Sequence, residues 1–181
     1  QPDFGYLTDA MSVPSGASLP ISETMIQPRA EGEIAFVLRD TLKGPGVTDA
    51  DVIAATDFVM PCFEVVDSRI DDWKIRIEDT IADNASCGAF ILGEQAVRID
   101  EVDLTTAGMV VYKNGKLLST GAGAAALGSP IRCVTWLANT LGRRGMSLDA
   151  GDVILSGSLV PLEPVAPGDT MRLIIGGIGS A

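Results

Sequence analysis

A mainly β, α+β fold in one domain is what this sequence predicts, and three observations predict it. Twenty Gly and ten Pro cut the chain into short segments, several of which alternate or run apolar as strands do. An Asn-Gly dipeptide stands between two such segments, the pattern of a tight β-hairpin. Helical periodicity is confined to two stretches. At 181 residues the chain is long enough for one domain with a real core and short for two. Its 46% hydrophobic and 20% charged residues predict folding rather than disorder.

In order along the chain, residues 29–38 alternate. Ala30, Gly32, Ile34, Phe36 and Leu38 share one face, and Arg29, Glu31, Glu33, Ala35 and Val37 the other. Lys43-Gly44-Pro45-Gly46 is a loop. Thr48 and Asp51 form a capping box opening a helix through Ile53, Ala54, Phe58 and Val59, which Pro61 ends. Residues 62–66 (CFEVV) read as a buried strand. From Asp67 to Ser86 the pattern is polar and irregular, with Trp73, Ile75 and Ile77 as anchors. Residues 110–119 form a hairpin about Asn114-Gly115. Ser129-Pro130 opens a second helix with Ile131, Val134, Leu137, Ala138 and Leu141 inward, stopped by Gly142. Gly151-Asp152 and Gly168-Asp169 are turns, each leading into an apolar strand.

Charge and composition exclude much. A net charge of −11 repels a phosphate backbone, so nucleic acid is not an expected partner. With no histidine in the chain, His-dependent triads and His-ligated zinc are excluded from it. Three cysteines, widely spaced and without a C-x-x-C pair, argue against a disulfide framework or a thiolate metal site. No apolar run reaches the length of a membrane span, and a cytoplasmic protein is the expectation.

Chemistry must then come from carboxylates, hydroxyls, lysines or a metal. Glu31 and Glu33 project from one face of a strand, about 7 Å apart at Cα, close enough for one cation to bridge them. Glu64 sits in an apolar strand, where an ionised acid needs a partner. Three converging carboxylates would repel unless Mg²⁺ or Mn²⁺ joined them. Spacing leaves a second reading equally open: a solvated face on which Arg29 neutralises one glutamate. Three motifs carry no chemistry in this context. Gly121–Ala126 matches G-x-G-x-x-A but follows a hairpin rather than opening a βαβ unit. Asp3-Phe4-Gly5 lacks the other kinase elements, and Asn84-Ala85-Ser86 is a glycosylation sequon only in form.

Taken together, Arg29–Glu33, Phe63–Arg69, Ala82–Ser86, Gly121–Gly128 and Gly151–Gly157, in that order and over essentially the whole chain, resemble the hydratase and decarboxylase branch of the fumarylacetoacetate hydrolase superfamily. The resemblance implies mixed, curved sheets of that superfamily's C-terminal-domain type with a few flanking helices. It implies Mg²⁺ or Mn²⁺ held by Glu31, Glu33 and Glu64. The activity implied is addition of water to 2-hydroxypenta-2,4-dienoate (2-oxopent-4-enoate), giving 4-hydroxy-2-oxopentanoate in aromatic meta-cleavage catabolism. Decarboxylation of 4-oxalocrotonate, diketone C–C hydrolysis and a silent subunit are the alternatives. Asp3 is implied as the acid/base: hydratases resemble Gln1-Pro2-Asp3-Phe4-Gly5, whereas decarboxylases tend to carry an aliphatic residue there. Without the family, Asp3 reads as a turn residue. Ser86 and Ser156 are candidates to bind the substrate carboxylate, with plain turn hydroxyls as the alternative. Lys74 is a weaker site candidate and reads more readily as a surface cation beside Asp71 and Asp72. The family habit implies a homo-oligomer and a complex with 4-oxalocrotonate decarboxylase. Family members are longer, so residues 1–181 read as a fragment lacking an N-terminal segment, with an active-site lysine, and the last strand.

Overall fold

The computed structural model describes residues 2–181; Gln1 of the Gln1–Gly5 string lies outside them. Nine strands form two antiparallel sheets among the described residues. In the first, β1 (Arg29–Leu38) lies between β2 (Thr56–Val66) and β6 (Val153–Leu155), with β3 (Cys87–Leu92) outside β2 and β7 (Glu163–Pro164) pairing the start of β1. In the second, the order is β5 (Lys116–Ala122), β4 (Gly108–Lys113), β8 (Met171–Ile175), β9 (Gly179–Ser180). Among the described residues four α-helices flank the sheets: α1 (Ile21–Thr24), α2 (Asp49–Ala55), α3 (Ile77–Ala82) and α4 (Pro130–Gly142). Among the described residues no helix is long and apolar enough to cross a membrane.

The predicted face of β1 forms the main core. Ala30, Ile34, Phe36 and Leu38 are buried against Met109, Val111, Leu173 and Ile175 of the second sheet and Val134, Ala138 and Leu141 of α4. Gly32 keeps this layer close, because a side chain there would run into Met109 and Val160. The opposite face of β1 carries Glu31, Glu33 and Ala35. Beside Ala35 a smaller apolar cluster, with Cys62 and Phe90, packs against Leu7 and Met11. Both faces of β1 are therefore covered, which buries Glu33 and leaves Glu31 half-buried.

The sequence reading is overturned at two places: α3 forms within the 67–86 stretch read as irregular, and α2 is shorter than expected. The capping box at Thr48 is present, but α2 stops at Ala55, and Phe58 to Pro61 belong to β2. Pairing with β1 overrides the helical spacing. Pro61 is tolerated in the ladder because Ile34, opposite it, sends both backbone groups to Ser156 instead. The hairpin forms as expected, Asn114 and Gly115 taking φ 53° and 74°.

Candidate active site

The antiparallel register of β1 and β2 sets Glu31 opposite Glu64 and Glu33 opposite Cys62. Side chains opposite each other on one face lie about 5 Å apart at Cβ. One carboxylate oxygen from each of Glu31, Glu33 and Glu64 consequently falls within 4.8 Å of the others. Glu33 is 1% exposed. Its Oε2 accepts a hydrogen bond from the Gly157 backbone N–H at 2.8 Å, and its Oε1 is buried with no partner.

The electrostatics follow from burial and repulsion. Burial, the nearby Glu64 charge and then Asp3 push Glu31 up to about 7. Burial, with Glu64 and Glu31 adding to it, pushes Glu33 well above the carboxylate range, against the pull of the Gly157 N–H. Glu64 is also raised, chiefly by burial. The thiols nearby respond in kind: Cys62 and Cys87 are raised by burial and by the glutamates, and Cys133 to about 11 by burial and then Glu33. None of the three glutamates has a basic partner among the described ion pairs. Arg29, which the solvated-face reading would pair with one glutamate, stacks on Trp73 with its guanidinium carbon 4.7 Å from the ring centre.

The cluster opens into a cavity of about 1000 Å³. Asp3, Phe4 and Leu7 form one wall, Ala85, Ser86 and Cys87 another, and Leu127, Trp136 and Leu137 a third. Every residue singled out by the sequence for the site (Asp3, Glu31, Glu33, Glu64, Ser86, Ser156) borders this one space. Ser86 is buried and donates to Asp83 Oδ2 at 3.2 Å. Ser156 donates to the Gly157 carbonyl and accepts from the Ile34 N–H, so its hydroxyl is engaged with backbone on both sides. Lys74 is exposed and paired with Asp72 at 2.9 Å, as expected.

Two residues that matter here were not legible as site residues. Gly157 supplies the N–H to Glu33 from a backbone at φ 83°, a conformation glycine favours, and glycine at this position is the one trace of it in the sequence. Asn84 was visible as part of a sequon and of the Ala82–Ser86 string, with no role of its own. The glycines of the apparent nucleotide motif serve packing: side chains at Gly121 and Gly123 would collide with the carbonyls of Leu159 and Leu104.

Over residues 1–181 the chain matches the fumarylacetoacetate (FAA) hydrolase C-terminal family. The chain belongs to that family. A 2-hydroxypent-2,4-dienoate hydratase of Pseudomonas putida is 72% identical over 147 residues, 81% of this chain and 66% of its own length. A 2-hydroxyhexa-2,4-dienoate hydratase of Comamonas testosteroni is 55% identical over 181 residues, 99% of this chain and 69% of its own. A solved structure of 4-oxalocrotonate decarboxylase from Pseudomonas putida G7, complexed with magnesium and adipate, superposes with a TM-score of 0.94 at 44% identity, covering 98% of this chain and 67% of that one. The chain thus spans about two thirds of the length of these family members. The FAA hydrolase fold, mostly curled sheet with few helices, is the α+β class that the sequence predicts.

Proposed function

We propose that residues 1–181 act as a single catalytic domain of a cytoplasmic, metal-dependent hydratase that adds water to 2-hydroxypenta-2,4-dienoate. The observation that carries this reading is the orphaned, buried Oε1 of Glu33 in a cluster of three carboxylates with no basic partner among the described residues. Oxygen-only donors with excess negative charge fit a hard divalent ion, Mg²⁺ or Mn²⁺, held by Glu31, Glu33 and Glu64. The hydratase names of the relatives at 72% and 55% identity support the reaction class.

When bound, the ion supplies Lewis-acid polarisation to the carboxylate and 2-oxygen of a 2-oxo acid. The chain's own residues do the rest. Glu33 is held in place by the Gly157 N–H, so the cluster is aimed before substrate arrives. Ser86, and Ser156 through the turn it fixes, border the substrate's carboxylate end. Asp3, on the wall whose charge Glu31 and Glu64 feel, takes and returns the proton as the dienol ketonises and water adds at C4. Phe4, Leu7 and Trp136 restrict bulk water around the diene.

Charge on the described walls favours this reading over decarboxylation. The described cavity walls carry Asp9, Asp149 and Asp152 besides the site acids, and no lysine or arginine. The second carboxylate of 4-oxalocrotonate would meet like charge there, whereas the neutral end of a pentadienoate would not. The deciding experiment offers the intact protein and Mg²⁺ both substrates. Water addition to the dienoate should dominate, and Asp3→Asn should slow it by roughly 10²–10⁴ with metal affinity nearly unchanged. Preferential CO₂ release, or a fully active Asp3→Asn, would overturn the assignment.

A further inference from the structure

We infer that Asn84 is a positioning residue that holds Asp3 over the glutamate cluster through a two-point clamp on the Tyr6 backbone. The inference rests on the proposed role of Asp3. Residues 2–8 line the cavity without regular structure. Downstream the segment is tied to β3 where the Val13 N–H donates to the Phe90 carbonyl at 3.0 Å. Upstream its backbone is tied at Tyr6. The Tyr6 N–H donates to Asn84 Oδ1 at 2.7 Å, and Asn84 Nδ2 donates to the Tyr6 carbonyl at 2.9 Å. The side-chain amide thereby replaces the neighbouring strand that this segment lacks.

Both partners are shaped for the contact. Asn84, Ala85 and Ser86 all lie in the left-handed region, with φ of 55°, 55° and 58°. Three such residues in succession are costly, and asparagine bears the conformation better than most. Asp83 braces the turn: its carbonyl accepts from the Ser86 N–H at 2.9 Å, and its carboxylate lies 3.4 Å from Arg69. On the other side, Gly5 passes so close that a side chain there would run into the Asn84 carbonyl. Phe4 adds an apolar anchor, edge-on to Tyr6 at 6.4 Å and to Trp136 at 6.3 Å. Asp3 stands three residues from the clamp, so its reach is short and depends on where Tyr6 is held. Releasing the amide would free the acid to wander by an ångström or more, a displacement that costs about 10²-fold in a positioned reaction.

The test is a double-mutant cycle on the intact, Mg²⁺-loaded protein, with Asn84→Gly chosen because glycine accepts the left-handed backbone. Asn84→Gly should lower kcat by about 10- to 100-fold while KM and Mg²⁺ affinity stay within about twofold. In an Asp3→Asn background the same change should have no further effect on kcat. Exchange of the Tyr6 amide hydrogen should accelerate in Asn84→Gly, which reads the clamp independently of activity. Equal losses in both backgrounds, an unchanged kcat or an unaltered Tyr6 exchange rate would each overturn the positioning role. A fully active Asp3→Asn would instead remove the underlying reading of Asp3, and that single variant identifies this outcome.

Discussion

Glu33 is a side chain whose burial makes sense only with company. Folding drives its carboxyl, and those of Glu31 and Glu64, above the usual range, so the metal-free native state holds more protons than the unfolded chain. Stability therefore falls as pH rises from the ordinary carboxylate value through about 7 for Glu31, and further for Glu33. Thermal unfolding of metal-free protein should show a lower Tm at about pH 8 than at about pH 5, and Mg²⁺ should flatten that slope. Glu33→Gln should raise the metal-free Tm at the upper pH, because a neutral amide removes the repulsion, and should abolish the added stability from Mg²⁺. Glu64→Gln should abolish metal-dependent turnover with little loss of fold. Strand parity made the shared face of Glu31 and Glu33 legible in the sequence. That Glu64, and not Cys62, stands opposite Glu31 was not, because parity along one strand carries no information about its register with another.

Elements were read best where local chemistry decides them. The Thr48 capping box, the Asn114-Gly115 hairpin and the Pro130 start of α4 all form. Their failures are informative too. Phe58 and Val59 fit a helix by spacing, yet they complete a ten-residue pairing with β1, because cross-strand burial outweighs propensity differences of a few tenths of a kcal/mol. Gly142 does end α4, but a helix-stopping backbone is not the reason it must be glycine. A side chain there would overlap the backbone of Gly44 in the loop crossing the helix. Gly142→Ala would normally favour a helix by about 1 kcal/mol. Here it should destabilise by about 1–3 kcal/mol, seen as a lower denaturation midpoint in urea. Asn114 ties the hairpin to the next turn: Nδ2 donates to Asp169 Oδ1, and Oδ1 accepts from the Thr170 N–H, both at 2.8 Å. Asn114→Ala loses both bonds and the tolerated φ of 53°, and should cost about 1–3 kcal/mol by the same measurement.

At the scale of the whole molecule, the cavity is assembled from segments far apart in the chain: residues 2–9, the two glutamate strands, the 85–87 corner, α4, and β6 with its flanking turns over 151–158. A ligand seated there couples them, and Mg²⁺ at a hundredfold excess over its Kd should add about 2.7 kcal/mol to unfolding, measurable by denaturant titration. Self-association, expected from the family habit, should appear in sedimentation of the intact protein as a species heavier than one chain, and a clean monomer at micromolar concentration would exclude it. By itself the sequence determined the sheet-rich class, the faces of β1, the hairpin, the N-terminal start of α4 and the residue types able to hold a hard cation. Each of these rests on neighbours a few residues apart. Only the tertiary structure decided the rest: the register pairing Glu31 with Glu64, the Gly157 N–H on Glu33, Arg29 turned to Trp73, and Asn84 clasping Tyr6 across 78 residues. Those contacts join parts of the chain that no local period relates, so packing of the two sheets must bring them together before the site exists.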